Sequence, residues 1–240
     1  DKDIEFVIRS AENAQVNQFY LPGIDSSAIN AMFALEQKFP GKCFAMMGLH
    51  PCYVKENYLQ ELAIVEEWLS KRKFSAVGEI GLDFYWDKTF VSQQYEAFRK
   101  QIELSIQHQL PIVIHTRNAM AETINVVKEY RSEKVKGVFH CFSGTYEDAI
   151  EIIELGFYLG IGGVITYKNS GLAEIIEKID LDKLVLETDA PYLTPIPFRG
   201  KRNESSYIKY IAEKLAQVKN VSVDEVAAVT TANAKKIFGA

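Results

Sequence analysis

Residues 183–193 read KLVLETDAPYL. A short apolar run, Leu184 to Leu186, hands over at once to Glu187 and then Asp189, just ahead of Pro191. Apolar residues at consecutive positions, rather than at every second one, mark a strand covered on both faces, as in parallel α/β sheets. The same construction recurs upstream. FSAVGEIGLD (74–83) carries Glu79, LPIVIHTR (110–117) ends near His115, and VKGVFHCFSG (135–144) contains His140.

Helical spacing follows each run. CFAMMGLHP (43–51) precedes a helix around Leu59, Leu62, Trp68 and Leu69, and residues 74–83 precede one carrying Tyr95, Phe98, Ile102 and Ile106, with Ser92 as its expected N-cap. Residues 110–117 lead to a helix from about Asn118, residues 135–144 to one from about Tyr146, GFYLGIGG (156–163) to one near Leu172 and Ile175, and residues 184–193 to a final pair. Before all of these, Ile4, Val7, Ile8 and Ala11 lie at helical spacing within residues 2–14, and NQFYLPG (17–23) reads as a strand ending in a turn. Seven strand-helix units behind an opening helix predict a (β/α)8 TIM-like barrel whose first strand is missing from this chain and lies upstream of Asp1. The expected organisation is one domain over residues 1–240, N-terminally incomplete. An open doubly wound sheet is the alternative that tolerates seven strands.

Composition narrows the function classes. With 48% hydrophobic and 25% charged residues among 240, the chain has the makeup of a globular protein that can bury a large core. No apolar run approaches the roughly 20 residues that span a bilayer, and no secretory signal opens the chain. Three cysteines, Cys43, Cys52 and Cys141, cannot all pair, which favours reduced thiols and a cytoplasmic location. A net charge of −5 argues against coating nucleic acid by bulk electrostatics, although not against gripping a few phosphates locally. No membrane or obligate protein partner is evident, and a monomer is expected. The one long irregular stretch, 188–204, holds Pro191, Pro195, Pro197 and Gly200, and loops of that length in compact domains are usually functional.

Glu79, His115, His140 and Asp189 thus stand near the C-terminal ends of four different strands, where barrel enzymes keep their active sites. Singly, each has an ordinary explanation as a helix cap or a locally bonded histidine. Together they offer two imidazoles and two carboxylates, a donor set suited to zinc or manganese, with magnesium where oxygens dominate. A carboxylate can also bridge two ions about 4 Å apart, as in phosphoester hydrolysis. Asp83 and Glu187 could orient a ligand or merely cap a turn. His108, in SIQHQL, reads as a surface residue.

VGEIGLDFYWDK (77–88), LPIVIHTR, FHCFSGT (139–145), LETDAPYLTP (186–195) and RGKRNESSY (199–207), in this order and spacing, resemble the TatD family of metal-dependent hydrolases from about Gly48 to the C-terminus. The resemblance implies a (β/α)8 barrel related to the amidohydrolases and a divalent-metal deoxyribonuclease, of the 3'-5' exonuclease or abasic-site type. It implies that Glu79 bridges two metals, His115 and His140 hold one, and Asp189 holds the other and acts on the attacking water. The family's opening strand ends in His-x-His. No such motif occurs here, so both strand and ligands are expected upstream of Asp1.

Further family-like positions have roles that can be argued from their chemistry. His50, in GLHP, could contact a phosphate or polarise the scissile group, or serve only in a turn; Arg117 could take a phosphate as a bidentate partner. Arg202, with Arg199 and Lys201, could clamp a DNA strand, and one of Phe84, Tyr85 and Trp86 could stack on a base. The expected function is a metal-dependent deoxyribonuclease with DNA as substrate. Its alternatives are an amide, lactone or ester hydrolase, and a non-catalytic binding protein if the N-terminal ligands are absent.

Overall fold

The computed structural model describes residues 3–239. Helix α1 (Ile4–Asn13) leads into β1 (Phe19–Leu21), α2 (Ile29–Lys38), β2 (Cys43–Ala45), α3 (Tyr58–Lys71), β3 (Val77–Asp83) and α4 (Val91–His108). Then come β4 (Ile112–Arg117), α5 (Met120–Lys128), β5 (Gly137–Phe139), α6 (Tyr146–Glu154), β6 (Tyr158–Ile161), α7 (Leu172–Ile176), β7 (Leu184–Leu186), α8 (Ile208–Lys219) and α9 (Val223–Phe238). Every strand pairing is parallel and joins sequence neighbours: β1 with β2, then β3 through β7 in order. A parallel bridge from Met47 to Val77 links the two sets. Sequential order without a reversal gives the TIM-barrel type of α/β fold and sets aside the doubly wound sheet, which needs a switch point. The strand and His-x-His expected upstream of Asp1 lie outside the described residues.

The strands are largely apolar because most of their length is covered on both faces. All seven residues of β3 are buried, Glu79 and Asp83 included. On β4, Ile112 and Ile114 join the large cluster shared with the helices, while Val113 points the other way and packs with Val138, Val185, Met46, Ala76 and Ile237 of α9. Period-2 alternation then carries the second set upward: His115 follows Val113, His140 follows Val138 and Glu187 follows Val185, each two residues on. An apolar layer of valines therefore underlies a polar layer at the C-terminal mouth. Backbones also approach closely here. A Cβ on Gly48 would lie 2.9 Å from the Gly78 carbonyl carbon, so only glycine fits beside the strand that presents Glu79.

Three local expectations need correction. Helix α4 begins one residue before Ser92, at Val91, and Phe90 occupies the cap position with no side-chain bond. The helix expected from Asn118 starts at Met120, because Asn118 takes a left-handed conformation at φ 52°. His108, read as a surface residue, is half-buried at the end of α4, with Nε2 enclosed. The three cysteines are free thiols. Among the described residues no helix is long and apolar enough to cross a membrane.

Candidate active site

Glu79 is aimed into the mouth by an irregularity in its own strand. Between Val77 and Ile80 the register against β4 advances by three residues on one side and two on the other, the signature of a β-bulge. Such bulges re-aim side chains next to functional sites. Glu79 Oε1 meets three imidazole nitrogens: His140 Nε2 at 2.5 Å, His115 Nδ1 at 2.9 Å and His50 Nε2 at 3.3 Å. Burial works to raise the Glu79 carboxyl pKa, but His140, His115 and His50 outweigh it and hold the group well below the usual carboxylate range.

The tautomers follow from the second nitrogen of each ring. His115 Nε2 lies 2.9 Å from Asp83 Oδ2, so the imidazole is gripped between two carboxylates. Burial opposes its charge, yet Asp83 and Glu79 together raise its pKa. A Cβ on Gly81 would fall 2.0 Å from the His115 carbonyl oxygen, so that glycine is what lets β4 sit so close. His140 Nδ1 faces Glu187 Oε1 at 3.7 Å, and against burial Glu79 and Glu187 raise its pKa well above the ordinary value. His50 differs: its Nδ1 accepts the Cys52 amide N–H at 3.1 Å, which puts the ring proton on Nε2, and burial lowers its pKa. His50 is thereby a neutral donor aimed at the site.

The donor chemistry fits a divalent ion. Ligand atoms of Glu79, His115 and His140 lie within 4.8 Å of one another, as do those of His140, Cys141 and Asp189. With Asp83 keeping the proton on His115 Nε2 and Glu187 facing His140 Nδ1, the remaining nitrogens, His115 Nδ1 and His140 Nε2, are those turned to Glu79, the usual pattern of carboxylate-supported metal ligands. The thiols beside these groups are protonated. Burial and Asp83 push Cys52 up to about 12, and burial with Glu187 pushes Cys141 well above the thiol range, so without metal both stay as S–H.

Asp189 lies beyond the end of β7 in a left-handed conformation at φ 55°. Burial raises its carboxyl pKa to about 6; His140 pulls it down, while Glu187 and Glu79 push it up. The loop that carries it is pinned from within. Asn203, 2% exposed, donates from Nδ2 to the carbonyls of Thr188 and Tyr192, at 2.6 Å each. Asn203→Ala is expected to cost about 2–4 kcal/mol, for two lost bonds and two stranded carbonyls. Denaturant titration checks this, and an unchanged midpoint would show that the loop is held elsewhere.

The outer candidates are placed differently. Arg117 ends β4 with its guanidinium 4.0 Å from the Tyr85 ring centroid. Arg202 contacts Asp3 at 2.5 Å and Glu204 at 3.1 Å, Arg199 lies over Tyr167, and Lys201 over Phe198. Two supporting residues escape a reading of the sequence. Gln94 brackets the Asp83 backbone, accepting its N–H at 2.9 Å and donating to its carbonyl at 3.1 Å; Gln101 does the same to Leu49 at 2.6 and 3.1 Å. Their one signal is the spacing: seven residues apart, they share a helix face with Phe98 and Ile102.

Comparison with known proteins agrees with this architecture. Residues 1–239 match the family described as TatD related DNase. The uncharacterized metal-dependent hydrolase YabD of Bacillus subtilis is 40% identical over 239 residues, covering 99% of this chain and 93% of that protein. A 3'-5' ssDNA/RNA exonuclease TatD of Erwinia tasmaniensis is 30% identical over 243 residues, with 99% and 94% covered. Among solved structures, the TatD homologue YJJV of Escherichia coli K12 superposes with a TM-score of 0.94 at 28% identity, covering 100% of this chain and 93% of that one. A full-length family match, joined to a strand-end cluster of imidazoles and carboxylates, places the chain in the TatD family of metal-dependent hydrolases.

Proposed function

We propose that this hydrolase is a deoxyribonuclease that cleaves phosphodiester bonds at the mouth built by Glu79, His115, His140 and Asp189. The observation that carries the reading is the convergence of three imidazoles on Glu79 Oε1, with Asp189 beside His140. Relatives named as 3'-5' ssDNA/RNA exonucleases, 30% identical over nearly the whole chain, support nucleic acid as the substrate.

Glu79, His115 and His140 would hold a divalent ion, and Asp189 with Glu79 would hold a second. Magnesium, manganese or zinc there supplies Lewis-acid polarisation of a phosphate oxygen and a water of lowered pKa. The chain's own residues do the rest. Asp189, as a carboxylate, takes the proton of the attacking water, and its raised pKa suits a general base near neutral pH. His50 donates from Nε2–H to a non-bridging phosphate oxygen while the Cys52 amide holds its ring in that tautomer. Asp83 and Glu187 keep the His115 and His140 rings in the productive orientation.

The test is degradation of 3'-labelled and 5'-labelled DNA oligonucleotides with each of the three metals and with EDTA. Stepwise shortening from one end, lost on chelation, is expected and gives the polarity. Absence of cleavage with all three metals would overturn the nuclease reading, and amides and lactones become the next substrates to try.

A further inference from the structure

The loop after β3 exposes two large aromatic side chains at the rim of the mouth. Tyr85 is 50% and Trp86 is 68% accessible, and they meet edge to face with centroids 4.9 Å apart. The Arg117 guanidinium lies 4.0 Å from the Tyr85 centroid and 5.3 Å from that of Trp86. Among the described residues no carboxylate pairs with it. Adjacent aromatics left in water beside an unpaired guanidinium form a surface with both an apolar and a cationic demand unmet.

This surface is held firmly. Asp83 Oδ1 accepts the backbone N–H groups of Tyr85 and Trp86 at 2.9 and 3.1 Å. Phe84 packs toward the core beside Tyr95, and its N–H donates to the Arg117 carbonyl at 2.9 Å. The other oxygen of Asp83 grips His115 Nε2. One carboxylate therefore sets both the aromatic rim and a ligand of the reaction centre, so anything resting on Trp86 sits at a constant offset from the bond to be cut.

We propose that Trp86, backed by Tyr85 and Arg117, is a stacking site for an unpaired base of the nucleic-acid strand, with the Arg117 guanidinium on the adjoining phosphate. This rests on the nuclease reading above. Any base offers a π-face, so the site tolerates sequence, whereas bases inside a duplex have both faces covered by neighbours. Single strands and frayed ends are therefore selected over intact duplex.

Trp86 is one of two tryptophans, and the other, Trp68, packs edge-on against Phe33. In a Trp68→Phe protein the emission of Trp86 reports on its own surroundings. Metal-loaded protein is titrated with an oligothymidylate whose phosphorothioate linkages resist hydrolysis, with a base-free oligomer of equal length and linkage, and with a duplex. Quenching by the oligothymidylate alone is expected. By anisotropy of labelled strands, Trp86→Ala should weaken oligothymidylate binding about tenfold and leave binding of the base-free oligomer at its wild-type value. Equal quenching by the base-free oligomer, or oligothymidylate binding to Trp86→Ala as tight as to wild type, overturns the proposal. Cleavage of DNA without any quenching sinks the base site and spares the nuclease reading; quenching without cleavage by any metal does the reverse.

Discussion

Asp189→Asn is expected to remove most of the hydrolytic activity and, at the same time, to raise the thermal midpoint of the metal-free protein. The loss follows from the proposed role of Asp189 as proton acceptor: general-base catalysis contributes about 10²–10⁴-fold, and asparagine cannot take the proton. The gain follows from burial. The folded pKa of Asp189 is about 6, against 3.8 ordinarily. Between those values the native state holds a proton that the unfolded chain has released, so stability falls as pH rises through that window. Above it the buried anion carries the full penalty, which the neutral amide of the variant lacks.

The stabilisation expected at pH 8 is about 1–2 kcal/mol, or several degrees, after allowance for partial solvent access. At pH 4, where the native carboxyl is already protonated, the difference should nearly vanish. Thermal scans of both proteins in EDTA at the two pH values check this. Coincident midpoints at pH 8 would mean that Asp189 is as well solvated folded as unfolded.

Glu79→Gln should also damage the reaction and should act through protons. Residues that merely support metal ligands are each worth about 10- to 100-fold, so loss of the carboxylate that all three imidazoles face should exceed about 100-fold. Glutamine keeps the shape but removes the charge that raises the pKa values of His115 and His140. Both rings should titrate at lower pH in the variant, as imidazole NMR resonances would record. Imidazole titrations matching the wild type would show that Asp83 and Glu187 alone hold those protons.

What is legible in the sequence is whatever follows from alternation and strand ends. His115 and His140 stand two residues beyond Val113 and Val138, and the apolar runs announce which way they face. The bulge that turns Glu79 inward has no such marker, because a register slip is decided by the pairing of two strands distant in sequence. Glu187 carries less weight than Asp189 in the sequence for a related reason. Glu187 continues the inward phase of Val185, whereas Asp189 reaches the site from beyond the strand, through a left-handed turn. Gln94 and Gln101 stay hidden because amphipathic reading sends polar residues outward, and theirs turn in to bond backbone. Arg202 shows only its charge in the sequence, and its carboxylate contacts include one from the far end of the chain.

The knot of three imidazoles on Glu79 also bears on the order of events in the protein's life. Small zinc domains fold only when the metal arrives, so chelation unfolds them. Here the ligands sit at one end of a barrel whose stability comes from a large apolar core that none of them belongs to. Folding should therefore precede loading. Treatment with EDTA should silence the enzyme while leaving its far-ultraviolet circular dichroism unaltered, and added metal should restore activity without a refolding step.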